Sequence, residues 1–237
     1  MNYTYVDIGV SDFDTSLDTQ QPGDTVLLVD PLAHYLDALP GNDGVKKVYA
    51  AIVDIPSMVP IGSMQSSLSV FHVPPPIITR MGFPAWVRGC NRVHEPHPAV
   101  VGLLANHGIS LADALESGIV QITQCPFMTF SQLCVQEDIT KIVNLKIDTE
   151  GCDHIILTAV LEALKAGVIP PPATITFERI GYATREHDVD PYGNCAILDA
   201  LVRQFIETMS YRYRHLSDAT TAGPNVTLIH EPATPAT

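Results

Sequence analysis

Short apolar runs, each followed by a polar turn and an amphipathic stretch, recur along the chain. The runs of strand length cover residues 3–8, 25–29, 46–53, 142–147 and 173–177. Strands that alternate with helices in this way predict a parallel sheet with right-handed crossovers. Near the C-terminus, residues 211–216 and 225–230 predict a final antiparallel pair. We therefore expect an α/β fold built on one sheet.

The most informative unit covers residues 142–157. Asp148 and Glu150 follow its buried strand directly, and an amphipathic helix then runs until Gly167. Pockets in open α/β sheets lie beyond the carboxyl ends of the strands, so both carboxylates are expected at a ligand site. There they could bind a cation, a hydroxyl group or a shared proton. The alternative is structural, because a helix N-terminus favours negative charge and Asp153 would be its cap.

Helical segments are expected between the other strands. Ser110 caps a helix that reaches Glu116, and Gly118 stops it. Shorter helical pieces are predicted over residues 33–39 and 129–134. Asn194 caps a long helix whose buried side carries four residues, namely Ile197, Leu201, Phe205 and Thr208.

The region from about 55 to 98 breaks this rhythm because it is rich in proline. Residues 66–73 could form a strand in this region, and the rest of it is expected to be a long ordered loop. Residues 119–123, beyond the region, are expected to form another short strand. Loops of this length inside a compact domain are usually lids or binding loops. We expect a single domain over residues 1–237 with a proline-rich loop insertion.

Composition limits the possible partners. The chain has 237 residues, of which 46% are hydrophobic and 16% charged, which is typical of one globular core. Its net charge of −13 argues against nucleic acid, which is itself a polyanion. Five scattered cysteines without a C-x-x-C pair favour reduced thiols in the cytoplasm. No apolar run has membrane-spanning length, and Met1 leads almost directly into a strand, so neither a membrane segment nor a signal peptide is expected.

The first strand ends in Asp7-Ile8-Gly9, and Asp30 ends the second. A glycine there permits close approach to the backbone, and an acid ending the next strand can accept hydrogen bonds from ribose hydroxyls. The chain lacks G-x-G-x-x-G, so a ribosyl cofactor without a diphosphate, such as S-adenosylmethionine, fits better than NAD. The alternative is a turn glycine beside a surface acid.

These residues together resemble a known family. The chain resembles the FkbM family of S-adenosylmethionine-dependent methyltransferases at four segments. They are Asp7-Ile8-Gly9, Asp30-Pro31, Phe177-Glu178 and, as the most specific, Lys146-Ile147-Asp148-Thr149-Glu150-Gly151. The likeness extends over most of the chain, and residues 84–91 with His97-Pro98 resemble a block of one subgroup. The chain departs from the family's D-x-G-x-N-x-G loop at Ser11 and Phe13.

The resemblance implies a class I methyltransferase fold, which is a Rossmann-like, mostly parallel seven-stranded sheet with an antiparallel last strand. It also implies O-methylation of a small polar acceptor such as a sugar or a polyketide-like hydroxyl. The implied cofactor-binding residues are Asp7, Ile8, Gly9, Val10, Ser11, Thr15, Asp30, Pro31, Ile52, Val53, Asp148 and Thr149.

Three acids are candidates for catalysis. Asp148 would pair with the ammonium of the cofactor, and Glu150 would orient the acceptor or remove its proton. Glu178 is the second candidate base, unless it forms an ion pair with Arg179 or Arg185.

The region 58–98 is expected to form one wall of the acceptor pocket. Its candidate acceptor-binding residues are Trp86, Arg88, Asn91, His94 and His97. Trp86 could instead fill the core, and Arg88 could form a salt bridge. Pro96 and Pro98 exclude a helix through the His94–His97 segment, so a helical zinc motif does not follow and no metal is expected.

Two other function classes remain open at this point. Phe13 in the cofactor loop raises the possibility of an inactive cofactor-binding or scaffolding protein of the same fold. A nicotinamide oxidoreductase is disfavoured by the missing glycine fingerprint, and cofactor-binding calorimetry separates all three classes.

Overall fold

A computed structural model describes residues 1–11, 15–54, 67–178, 193–213 and 225–231. Seven strands form its main sheet. In order across the sheet they are β3 (Val45–Val48), β2 (Val26–Val29), β1 (Asn2–Ile8), β8 (Lys141–Ile147), β9 (Thr174–Glu178), β11 (Asn225–His230) and β10 (Tyr211–Tyr213). β11 runs antiparallel to both of its neighbours, and the pairs among the other described strands are parallel, so the expected α/β sheet with an antiparallel last strand is present.

The order of the main sheet reverses between β1 and β8. The chain first builds outwards from β1 through β2 to β3 and later continues on the other side of β1. Ile8 pairs with both Val29 and Ile147, so three strands end at the same level. In open α/β sheets such a reversal leaves a crevice beyond the strand ends, where ligands bind.

A second, four-stranded sheet follows β3. Its order is β4 (Ala51–Ile52), β7 (Gln121–Met128), β5 (Ser67–His72) and β6 (Arg92–Val93). We call the described residues from 67 to 128 the insert. The expected strand over 46–53 is therefore divided between two sheets, whereas the one expected over 66–73 is confirmed as β5. The strand expected over 119–123 starts later and is longer, as β7.

Seven α-helices are described: α1 (Ala33–Ala38), α2 (Pro75–Met81), α3 (Pro98–Asn106), α4 (Leu111–Glu116), α5 (Phe130–Gln136), α6 (Asp153–Lys165) and α7 (Cys195–Met209). Short 3-10 turns cover Ser16–Thr19 and Ala85–Arg88. None of the helices in the described ranges is both long and apolar enough to cross a membrane.

The expectation of a long loop in the proline-rich region was wrong where the structure describes it. Pro75 and Pro98 occupy the first turns of α2 and α3, where a missing backbone N–H costs nothing. Gly82 ends α2 in the left-handed conformation. Residues 55–66 lie outside the described ranges.

Two helix details also differ from expectation. Cys152, and not Asp153, is the N-cap of α6. Helix α7 does begin after Asn194, but Ile197 is 48% exposed and Thr208 is exposed as well. Its buried face instead carries Leu198, Leu201, Val202 and Phe205, which pack into the same core cluster as the central strands.

Candidate functional site

A cavity opens at the carboxyl ends of β1, β2 and β8, where the strand order reverses. The empty space inside it and at its open mouth together is about 810 Å³. The residues that line it from the main sheet and the segments after its strands are Ile8, Gly9, Ser11, Val29, Asp30, Pro31, Ala50, Ala51, Ile52, Val53, Asp148, Thr149, Glu150, Cys152 and Ile156. The insert contributes the facing wall with Val70, Gly89, Asn91, Arg92 and Val93.

Most of the expected cofactor residues line this cavity. Nine of the twelve do so, namely Ile8, Gly9, Ser11, Asp30, Pro31, Ile52, Val53, Asp148 and Thr149. The other three are buried outside the lining: Asp7 and Val10 flank Ile8 and Gly9, and the side chain of Thr15 accepts the Leu17 N–H at the start of a 3-10 turn. Phe13, the departure that favoured an inactive protein, lies outside the described residues.

Gly9 is required by its neighbours in the sheet. Its φ is +87°, and an added Cβ would lie 2.0 Å from the Asp148 carbonyl oxygen. Its N–H donates to the Val29 carbonyl at 2.9 Å. The close approach that the sequence suggested for a ligand is therefore made, in this structure, by the backbone that carries Asp148.

Two aspartates shape the floor of the cavity. Asp7 Oδ2 accepts the Ser16 N–H at 2.9 Å, which fixes the segment after β1. Asp30 Oδ1 accepts the Leu32 N–H at 2.7 Å, and the side chain is almost fully buried. Burial raises the pKa of Asp30 well above its usual value, the Leu32 N–H opposes that shift and the Asp7 carboxylate adds to it. Asp30 Oδ2 makes no hydrogen bond within the described residues, so it is the atom available to a ligand hydroxyl.

Asp153 joins the ends of two neighbouring strands. Its Oδ1 accepts both the N–H and the hydroxyl of Thr149, at 2.8 and 2.6 Å, and its Oδ2 accepts the Glu178 N–H at 2.8 Å. Burial raises its pKa to about 6, although all three hydrogen bonds lower it. The sequence suggested a helix cap here, and no local signal points to the contact with Glu178.

Glu150 lies on the cavity wall in a left-handed backbone conformation, with φ +51°. Its Oε2 is 3.2 Å from His97 Nε2 of the insert. Cys90 lies beside this pair, and the nearest donor atoms of the three side chains are all within 4.8 Å of one another. A sulfur, a nitrogen and an oxygen at such distances could hold a transition metal, although no metal was expected from the sequence.

Glu178, the second candidate base, does not line the cavity. Its pKa is raised to about 8, mainly by burial and, in decreasing order, by the carboxylates of Glu150, Asp148 and Asp153. Its Oε2 is buried without a hydrogen-bond partner among the described residues. Glu178 is thus expected to hold a proton at neutral pH, while its suggested partners Arg179 and Arg185 lie outside the described ranges.

Asn91 is the only expected acceptor residue that lines the cavity. Its Nδ2 donates to the Arg88 carbonyl, and its Oδ1 has no partner in the part of the chain that the structure describes. Trp86, Arg88 and His94 do not line the cavity. Trp86 is 46% exposed, His94 is exposed as well, and Arg88 Nε donates to the Ala85 carbonyl. His97 contacts Glu150 from behind the wall and does not reach the cavity itself.

Arg92 and Cys152 line the cavity but were not foreseen. The Arg92 side chain is 15% exposed and forms an ion pair with Glu95 at 3.1 Å. It also hydrogen-bonds the Cys152 thiol, which belongs to the segment after β8. Arg92 directly follows Asn91 in the chain. The sequence therefore predicted an arginine from the correct region, but Arg88 was the wrong residue.

Comparison of the chain with protein-family models, with curated proteins and with solved structures found no match in any of the three. Fold and site together define an α/β protein with a mostly parallel, Rossmann-like seven-stranded sheet. The cavity described above lies where the strand order reverses, between the main sheet and the insert.

Proposed function

We propose that the protein is an S-adenosylmethionine-dependent methyltransferase that acts on a hydroxyl group of a small polar acceptor. The observation that carries this proposal is a seven-stranded sheet with only its last strand antiparallel, with an acid-lined cavity at the reversal of strand order. The class I methyltransferase fold has such a sheet and holds its cofactor over the strand ends of the first half. The resemblance of residues 146–151 to the FkbM signature supports the same class.

The cofactor half of the cavity suits an adenosyl ligand without a diphosphate. Asp30 is buried with Oδ2 available, so it can accept a hydrogen bond from a ribose hydroxyl. Asp148 lines the same cavity, and its Oδ2 is 3.5 Å from Lys146 Nζ. A carboxylate that already attracts one ammonium group can also attract that of the methionine moiety.

The acceptor half lies towards the insert. Asn91 offers a buried oxygen that has no hydrogen-bond partner among the described residues, and Arg92 offers a guanidinium. Glu150, after β8, lines the same cavity and contacts His97 of the insert. Methyl transfer is an in-line displacement from the sulfonium, in which a base removes the hydroxyl proton. Glu150 is the carboxylate that lines this half, so we assign it the roles of base and orienting group.

Titration calorimetry tests the proposal directly. S-adenosylmethionine and S-adenosylhomocysteine are expected to bind saturably, whereas NAD is expected to give no heat of binding. Asp30→Asn should weaken both adenosyl ligands about tenfold or more because it weakens the ribose acceptor. Asp43→Asn, an equal charge change in an exposed turn, is the matched control. Saturation by NAD, with no response to either adenosyl ligand, would contradict the proposal.

A second measurement separates an enzyme from an inactive protein of the same fold. The inactive alternative is favoured if S-adenosylhomocysteine binds but the protein forms none from S-adenosylmethionine with any sugar or phenol in an acceptor panel. The enzyme is favoured if methyl is transferred to any hydroxyl acceptor and Glu150→Ala abolishes that transfer.

A further inference from the structure

His97 is the N-cap of helix α3, and its hydrogen bonds define which ring nitrogen carries the proton. The side chain is buried, and Nδ1 accepts the Ala99 N–H at 3.1 Å as the helix N-cap. A neutral imidazole carries one N–H, so a nitrogen that accepts a hydrogen bond leaves the proton on the other. The proton therefore lies on Nε2, the nitrogen 3.2 Å from Glu150 Oε2.

The loop that carries Glu150 is held on both sides. Thr149 before it is bound through its N–H and its hydroxyl by Asp153. After it, the Gly151 carbonyl accepts the amide of Asn194 at 2.9 Å. Glu150 itself has a positive φ, which is strained for a residue with a side chain. A strained residue fixed by both neighbours indicates that the direction of its side chain is specified by the fold.

We propose that His97 is a positioning residue for Glu150: it donates its Nε2–H to the carboxylate, fixes it on the cavity wall and so attaches the insert to the end of β8. The role of Glu150 in methyl transfer rests on the proposed function, whereas the hydrogen bond does not. The sequence suggested contact between His97 and the acceptor. The geometry instead assigns it to the residue that faces the acceptor.

A metal ion held by Cys90, His97 and Glu150 would use the same three side chains differently. Coordination by Nε2 would move the imidazole proton to Nδ1, where it would face the Ala99 N–H. The Cys90 thiol donates to the Trp86 carbonyl at 3.8 Å, and burial raises its pKa, so a thiolate is disfavoured as well. Both observations favour a hydrogen-bonded pair beside a neutral thiol.

Nitrogen-15 NMR of the histidine side chains tests the hydrogen bond without any cofactor or acceptor. The His97 signals are assigned by their loss in His97→Asn, which keeps the helix cap because asparagine is a good N-cap residue. We expect the Nε2–H tautomer in the wild type, with a deshielded, slowly exchanging proton. In Glu150→Ala that proton should move upfield or disappear through exchange. An Nδ1–H tautomer, or a proton insensitive to Glu150→Ala, would overturn the proposal whatever the protein catalyses.

Kinetics with any acceptor that supports turnover test the positioning role. His97→Asn should lower kcat by about 10- to 100-fold and leave the Kd of S-adenosylhomocysteine within about twofold. In a Glu150→Gln background the same change should cost less than about threefold, because the group it positions has already lost its function. Equal losses in both backgrounds would overturn the positioning role. His107→Asn, at the exposed C-cap of the same helix, is the matched control.

Cobalt(II) titration distinguishes the metal site from the hydrogen-bonded pair. The wild type is expected to show no thiolate-to-cobalt absorption, which supports the pair. A band that appears on titration and is lost in Cys90→Ser would overturn the proposal in favour of a metal centre.

Discussion

The Asp153 carboxylate accepts the backbone N–H of Glu178 at 2.8 Å and so joins the end of β8 to the end of β9. Its other oxygen holds Thr149 in the loop that leads to Glu150. One buried side chain therefore sets the relative positions of the two glutamates that were candidates for the catalytic base. The two glutamates are thus positioned by Asp153, an aspartate with a structural role.

Replacing Asp153 by asparagine should destabilise the fold. The amide has one acceptor oxygen, so its NH₂ group would face either the Thr149 or the Glu178 N–H. An unsatisfied buried donor, with the loss of a charge-assisted bond, is expected to lower the free energy of unfolding by about 2–4 kcal/mol. Urea denaturation measures the loss, and Asp43→Asn should stay within about 0.5 kcal/mol of the wild type. A loss below about 1 kcal/mol would show that the network has little energetic weight.

Gly9→Ala should be much more damaging than the same change at Gly23. Both glycines have a positive φ, +87° and +94°, so the conformational strain of an added side chain is similar. Gly23 has nothing within 4 Å of an added Cβ, and its replacement should cost only about 1–2 kcal/mol. At Gly9 the Cβ would collide with the Asp148 carbonyl, and because backbone must then move, we expect a further loss of several kcal/mol. Thermal unfolding of the two variants compares them directly, and equal losses would contradict the close contact.

The sequence predicted the strand ends well because each central run stops at an acid or a glycine. Ile8, Val29 and Ile147 are the last apolar residues before such a break, and they pair at one level. The sequence predicted helix α4 of the insert but not α2 and α3, although Pro75, Gly82 and Pro98 are ordinary start and stop signals. A high density of proline favours a loop, but Pro75 and Pro98 occupy first-turn positions of helices, where proline is well tolerated.

Other features of the site have no local signature. The contact between His97 and Glu150 and that between Asp153 and Glu178 depend on how distant segments are brought together by the sheets. In α7 the expected buried face was displaced by one position at Ile197, which left Leu198 unrecognised. Such a shift exchanges an exposed residue for a buried one because successive helical residues point about 100° apart.

Because of Glu178, we expect the free energy of unfolding to fall as pH rises. Its pKa is raised from 4.5 to about 8, so between these values the folded state keeps a proton that the unfolded state releases. The slope of stability against pH is therefore negative across that window and flattens above it. Glu178→Gln imitates the protonated acid, and its advantage over the wild type should grow from near zero at pH 4.5 to roughly 1–3 kcal/mol at pH 8.5. Denaturant unfolding at both pH values measures this, with Glu116→Gln on the exposed end of α4 as the control. An advantage that is constant with pH would argue against a protonated Glu178.

Asp148 and Glu150 should have separable roles. Asp148 directly follows β8, close to Lys146 and the expected cofactor half of the cavity, whereas Glu150 is held by His97 of the insert. Asp148→Asn removes the charge that would attract an ammonium group, so S-adenosylhomocysteine should bind about 10- to 100-fold more weakly. Glu150→Gln should leave that affinity within a few fold but slow methyl transfer by roughly a hundredfold or more if Glu150 is the base.

Calorimetry and single-turnover rates on both variants provide the four values needed, with Asp43→Asn and Glu116→Gln as charge-matched controls. If Glu150→Gln loses cofactor affinity while Asp148→Asn retains it, the two roles are reversed. If Glu150→Gln changes neither quantity, another group must act as base. Glu178 would then be the first to examine, because its raised pKa brings its proton loss near the pH at which the reaction would run. Glu150→Gln removes a carboxylate that raises the pKa of Glu178, so in that variant this pKa should fall below about 8. A rate that rises with pH through this lowered pKa, and disappears when Glu178→Gln is added, would assign the base to Glu178.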